Sequence, residues 1–107
     1  MNGFNIIDSQ DIIYCEADTC YTIFKMAGNK QIVSSKTMAE YESILDPGLF
    51  LRIHRSFIIN LSRIKEYRKG LGGSVIMDNG AELEISRRKK DEFVNRIKKI
   101  FKDESSS

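Results

Sequence analysis

The 107-residue chain is short of several things, and each shortage closes a class of function. It has one histidine, His54, and no cluster of His, Cys, Asp and Glu at metal-ligand spacing, so no metal site is expected. A hydrolase would have to work with His54 and scattered acids such as Asp78, Glu82 or Glu84. Ser56 gains no catalytic geometry from standing near His54 in sequence. The expectation is a non-enzyme without cofactor. The cysteines, Cys15 and Cys20, are too few for a disulfide scaffold and point to a reducing compartment, the cytoplasm; a bridge across a hairpin is the open alternative. No apolar run approaches the length of a membrane span, and no signal peptide opens the chain, so no membrane partner is expected.

What is present describes one ordinary domain. Hydrophobic residues make up 41% and charged residues 30%, which separates the chain from disordered sequences. Net charge is +2, but unevenly spread. Residues 1–51 hold three Lys against seven acids, giving −4; residues 52–107 hold fourteen Lys and Arg against eight acids, giving +6. That asymmetry fits one basic surface facing phosphate, or a solvated face with scattered lysines.

Most segments have the β-branched and aromatic content of short strands. These are 11–15, 21–26, 31–34, 50–54, 64–68, 74–77 and 82–85. Residues 16–20 read as a hairpin loop and 27–30 as a turn. Asp78-Asn79-Gly80 is a hairpin signal, because Asn-Gly tolerates positive φ. Leu83 and Ile85 alternate with Glu82 and Glu84, giving one buried and one wet face. A helix over 38–45 opens on the capping box Thr37 to Glu40 and stops at Asp46-Pro47-Gly48. A second, over 88–101, carries Phe93, Val94, Ile97, Ile100 and Phe101 as one stripe. The reading is mostly β (α+β), with one short central helix and one C-terminal helix.

Two basic stretches stand out. Arg87-Arg88-Lys89-Lys90 opens the last helix, where the positive end of the helix dipole disfavours cations. A bound phosphate would reverse that cost; a solvated charge run is the alternative. The other is FLRIHRSFIIN, residues 50–60. Phe50, Arg52 and His54 would share one strand face, and Leu51, Ile53 and Arg55 the other, so neither face is cleanly apolar. The strand should therefore end near His54, with Arg55-Ser56 in a turn anchored by Phe57, Ile58 and Ile59. Arg55 could then reach outward to a guanine edge or a phosphate. His54 is either a contact or a half-buried imidazole bonded to a backbone carbonyl. Tyr14, Tyr21 and Phe24 leave open a single-strand or RNA binder that stacks bases. A sheet edge leaves open a protein-interaction module.

The residues Ile13-Tyr-Cys-Glu16 with Tyr21-Thr22, the block Phe50-Leu-Arg-Ile-His-Arg-Ser56 with Ile59-Asn60-Leu61 and Ile64, and Leu83-Glu-Ile-Ser-Arg-Arg88 resemble the LytTR DNA-binding domain. The likeness runs from about residue 8 to residue 101. It implies an elongated set of small antiparallel β-sheets that binds double-stranded DNA by loops set in successive major grooves. It implies a transcription-regulating output domain of a bacterial response regulator, pairing on direct repeats. Residues 8–102 would be that domain, 1–7 a linker or extension and 103–107 a frayed tail. The chain has no room for a receiver domain, so it would be a stand-alone member or the output part of a protein with a receiver upstream. By position, the resemblance makes Arg55, Arg88 and Tyr21 base contacts, although neither Tyr21 nor Cys20 carries a basic group. It makes Lys36, Arg87, Lys89, Lys90 and His54 backbone contacts, and Ser56 and Asn60 supports of the turn.

Overall fold

The computed structural model describes residues 7–70 and 72–100. The chain forms β1 (Ile12–Asp18), β2 (Tyr21–Met26), β3 (Lys30–Ser34), α1 (Met38–Ile44), β4 (Phe50–His54), β5 (Phe57–Asn60), β6 (Ile64–Arg68), β7 (Ser74–Met77), β8 (Glu82–Glu84) and α2 (Lys90–Ile100). Single 3-10 turns cover Ser9–Asp11, Leu61–Arg63 and Arg87–Lys89. The strands make two antiparallel sheets, ordered β3-β2-β1-β5-β4 and β6-β7-β8. The molecule is elongated, 54 × 24 × 24 Å. No helix among the described residues is long and apolar enough to cross a membrane.

The five-stranded sheet is covered on both faces along β1, β5 and β4. Ile13, Tyr14, Leu51, Ile53 and Ile59 face a core completed by Val75, Met77, Leu83 and Ile85 of the second sheet and by Phe93 of α2. Ile12, Cys15, Phe50 and Ile58 face a second core with Phe24, Met26 and Met38 of α1. Burial on both sides is why Phe57-Ile-Ile-Asn60 has no polar alternation. Expected only to anchor a turn, it is a strand between β1 and β4.

The first hairpin also differs from the sequence reading. β1 runs through Asp18, with Glu16 paired to Ile23 and Asp18 to Tyr21. The loop shrinks from five residues to Thr19-Cys20, with Thr19 at φ +57°. The polar run 16–18 is half-exposed or exposed strand, and backbone pairing holds it. Both cysteines are free, Cys15 buried and Cys20 exposed, so no bridge crosses this hairpin.

Other expectations match. The box at Thr37 and Glu40 is complete: the threonine hydroxyl accepts the Glu40 amide at 3.2 Å, and the Glu40 carboxylate accepts the Thr37 amide at 2.8 Å. In the 78–80 turn only Gly80 takes positive φ, at +90°. The last helix begins as the 3-10 turn over Arg87–Lys89 and becomes α-helical at Lys90. Of its apolar stripe, Phe93 is buried, Val94 and Ile97 are half-buried, and Ile100 is 48% exposed. Phe101, the tail and residues 1–6 lie outside the described residues.

A candidate nucleic-acid interface

The turn between β4 and β5 is held on three sides. Pairing slips between Arg52 and His54, which ends the regular ladder and leaves Arg55-Ser56 as a two-residue turn. The Ser56 amide donates to His54 Nδ1 at 3.1 Å, and the Ser56 carbonyl accepts the Ala17 amide of β1 at 2.9 Å. Nη2 of Arg52 donates to the Arg55 carbonyl at 2.6 Å. The ring of Phe57 packs on the imidazole, centroids 5.5 Å apart, and edge-on against Tyr14 at 6.2 Å. The backbone around Arg55 is therefore fixed while its side chain is exposed.

His54 bonds a backbone amide, not the carbonyl expected of a bland imidazole. This bond commits Nδ1 as an acceptor. That leaves Nε2 as a donor beside the turn.

The second basic segment is brought to the first by one backbone contact. β4 is an edge strand, and its free side is met by residues after β8. The Ser86 amide donates to the carbonyl of fully buried Ile53 at 2.8 Å, and the Lys89 amide closes the 3-10 turn on the Ser86 carbonyl at 3.0 Å. Arg88 and Lys89 then line a cleft of about 170 Å³ with His54, Arg55, Arg52 and Glu42. Neither Arg87, which is exposed, nor Lys90, which is half-buried with its side chain near Gly73, lines that cleft.

On the other side of Arg55, a groove of about 340 Å³ runs to Thr19 and Tyr21 of the first hairpin and to Thr37. Tyr21 is 49% exposed. Lys36 is exposed on a pinned backbone: its carbonyl accepts the hydroxyl of buried Thr22 at 2.8 Å, and its amide donates to Ser34 Oγ at 3.2 Å. Three loops thus meet around Arg55.

Arg55, Arg87, Arg88, Lys36 and Lys90 form no ion pair among the described residues, whereas Arg52, Arg63, Arg68 and Lys89 do. Unpaired cations are not confined to these loops: among the described residues Lys25, Lys30, Lys65 and Lys69 also form no ion pair, while Arg52 and Lys89, which line the cleft, do. Asp91 and Glu92 fill the first turn of α2 and offset the cations before it.

The remaining expected site residues fall as follows. Ser56 supports the turn through its backbone. Asn60 stands at the far end of β5, fully buried, where its amide donates to the Ile12 carbonyl at 2.9 Å and its oxygen accepts the Ser62 amide at 2.9 Å. Asp78 is tied to Arg63 at 3.0 Å, and Glu82 accepts the Ser74 hydroxyl at 2.7 Å. Among the described residues no acid, His and Cys group gathers as a metal site would. Tyr14 and Phe24 are buried, so neither offers a face for stacking. Sequence reading missed Arg52 and Ser86 as parts of the site. An arginine between buried Leu51 and Ile53 was the available signal for the first; a backbone donor leaves none.

Residues 2–98 match the family model described as the LytTr DNA-binding domain. The chain is 40% identical over 76 residues to the CO-responsive transcriptional regulator RcoM of Rhodospirillum rubrum, covering 70% of this chain and 32% of that protein. It is 30% identical over 98 residues to the sensory transduction protein LytT of Bacillus subtilis, covering 90% of this chain and 39% of that one. The chain thus spans about a third of the one relative and about two fifths of the other. A solved LytTr DNA-binding domain from Bacillus cereus superposes with a TM-score of 0.78 at 25% identity, over 85% of this chain and 84% of that one.

Proposed function

The chain belongs to the LytTR family of DNA-binding, non-catalytic domains, the output domains of LytR/AlgR-type response regulators, and from that premise we propose that it reads duplex DNA sequence through loops placed in successive major grooves. Arg55 and Arg88 are the base-reading side chains, each able to present a bidentate fork to a guanine edge. Lys36, Arg87, Lys89, Lys90 and the Nε2 of His54 meet phosphates. Tyr21 borders the same groove and makes an apolar or hydroxyl contact to a base. Ser56 and Asn60 hold the strand that carries the turn.

The observation that carries this reading is the meeting of Arg55 and Arg88, neither of them ion-paired among the described residues, at one cleft with His54 and Lys89. Phosphates and base edges would compensate charge that the protein leaves uncompensated. The acting unit in the cell is a longer regulator with a receiver upstream, and two copies occupy two direct repeats on DNA.

Fluorescence anisotropy against a duplex library at two salt concentrations tests the reading. Selection of two short direct repeats about one helical turn apart, with affinity falling steeply as salt rises, is expected. On the selected duplex, Arg55→Ala and Arg88→Ala should each cost about 1–3 kcal/mol and relax base preference. Lys89→Ala and Lys90→Ala should weaken all duplexes alike and flatten the salt slope. If all four variants behave alike, base reading by the two arginines is refuted.

A further inference from the structure

β4 places an arginine where its neighbours are apolar. Phe50, Leu51 and Ile53 are buried, and the Arg52 side chain between them is 20% exposed. Its guanidinium joins two elements. Nη1 donates to Glu42 of α1 at 2.9 Å, and Nη2 donates to the Arg55 carbonyl at 2.6 Å. Nε is buried and has no hydrogen-bond partner.

Packing alone does not call for this group. A buried N–H without an acceptor is a cost that an unbranched apolar side chain of similar length would avoid. What the planar fork adds is the ability to hold two acceptors in fixed directions, one on the helix and one on the turn. The acceptor on the turn is the backbone of Arg55 itself.

We infer that Arg52 is a positioning residue for sequence reading: anchored by Glu42, it fixes the Arg55 carbonyl and thereby the direction in which the Arg55 side chain leaves the turn. This rests on the DNA-binding reading above. Two of the five N–H groups of Arg52 are committed to Glu42 and to the Arg55 carbonyl, and its action on DNA runs through Arg55. Glu42 has two effects. It steadies Arg52, and it places one carboxylate among His54, Arg55, Arg88 and Lys89, which lowers the general pull of the cleft on phosphate.

The experiment compares wild type, Arg52→Met, Arg52→Lys and Glu42→Gln on the selected duplex and on a scrambled one at the same salt, with melting temperatures. Arg52→Met should fold with an unchanged or higher melting temperature. Its preference for the selected duplex should fall roughly five- to a hundredfold, the range of one lost base contact, while binding to the scrambled duplex holds. Arg52→Lys should lose preference as Arg52→Met does, because an ammonium keeps the charge but not the fork. Glu42→Gln should bind the scrambled duplex more tightly and discriminate less. In an Arg55→Ala background, Arg52→Lys should remove no further preference.

Three results would overturn the inference. The first is Arg52→Lys matching wild type, which would make Arg52 a point charge on phosphate. The second is Arg52→Met weakening both duplexes equally, and the third is the Arg52 and Arg55 losses adding in full. Should Arg52→Met fail to fold, Arg52→Lys and Glu42→Gln decide. A wild type with no preference among duplexes would sink the DNA-reading proposal itself, whereas a selective wild type matched by every Arg52 variant sinks the positioning role alone.

Discussion

The two basic segments are held together by the Ser86 amide on the Ile53 carbonyl, and Ser86→Pro removes that bond with little else. Ser86 sits at φ −66° and ψ 148°, which a proline adopts without strain, and its side chain caps nothing. The ring carbon would replace the amide hydrogen about 1.5 Å from the nitrogen. The Ile53 oxygen is 2.8 Å from that nitrogen, so the two atoms would collide. Carbon and oxygen need about 3.3 Å, so the segment must retreat by roughly 2 Å. The buried Ile53 carbonyl then loses its partner, costing about 1–3 kcal/mol. The restricted unfolded chain returns about 0.4–1 kcal/mol. For a domain of this size the net loss should lower the melting temperature by up to about 15 °C and leave it folded. The larger effect should be on binding: with Arg88 displaced from Arg55, one base contact fails, and affinity for the selected duplex drops by about 1–3 kcal/mol relative to a scrambled one. Ser86→Ala, which keeps the amide, is the control and should match wild type in both assays. Anisotropy with selected and scrambled duplexes, paired with thermal melts, measures all of this. If Ser86→Pro is folded, less stable and as selective as wild type, the spacing of the two segments does not matter and the reasoning is wrong.

Two further predictions concern the sheet and the helix cap. Burial pushes the Cys15 thiol up to about 12, while Cys20 is exposed. Iodoacetamide on the native protein at pH 8 should therefore leave one adduct, on Cys20, with Cys15 modified only after unfolding; two adducts in native conditions would contradict this. The same shift stabilises the fold fully below pH 9.0, the ordinary thiol value, and is lost as pH rises from there toward 12. The Thr37 amide and then the Thr37 hydroxyl hold the Glu40 carboxyl below its ordinary value of 4.5. Its contribution to the cap is present above 4.5 and lost as pH falls through the depressed value. The Thr37 amide shift in an NMR titration should move with a midpoint below 4.5, and in Glu40→Gln that movement should vanish. A midpoint at or above 4.5 would show that the box does not form in solution.

The parts of the fold that were legible in sequence are those where one face is wet. Glu82 and Glu84 against Leu83 set the phase of β8. The Thr37 to Glu40 spacing set the start of α1, and Phe93 marked the buried side of α2. β5 was not legible as a strand because Ile58 and Ile59 face opposite cores, leaving no polar face to betray the period. β1 was cut short for the opposite reason: in 16–18 only Ala17 packs against a core, between polar Glu16 and Asp18, so backbone pairing is what marks the stretch as strand. At the site, the turn at Arg55 followed from the failure of both faces of 50–54 to be apolar. Its junction with Arg88 did not, because it depends on a backbone hydrogen bond between residues 33 positions apart in the chain, which no side-chain pattern encodes.

That division also separates stability from reading. The buried aliphatics of β1, β4, β5 and β7 hold the sheets, and no DNA-facing group is needed for them to pack. The groups that orient the basic loops are polar contacts at the sheet margin: the His54 ring on Ser56, the Ser56 carbonyl on Ala17, the Ser86 amide on Ile53, and Arg52 between Glu42 and the turn. Each of the four contributes modestly to folding, since a single intramolecular hydrogen bond is worth about 0.5–1.5 kcal/mol net. Each fixes a backbone direction, and a side chain as long as arginine converts a small backbone rotation into a large displacement of its fork. Substitutions at these margins should therefore change discrimination between duplexes more than they change the melting temperature, and substitutions in the two cores should do the reverse.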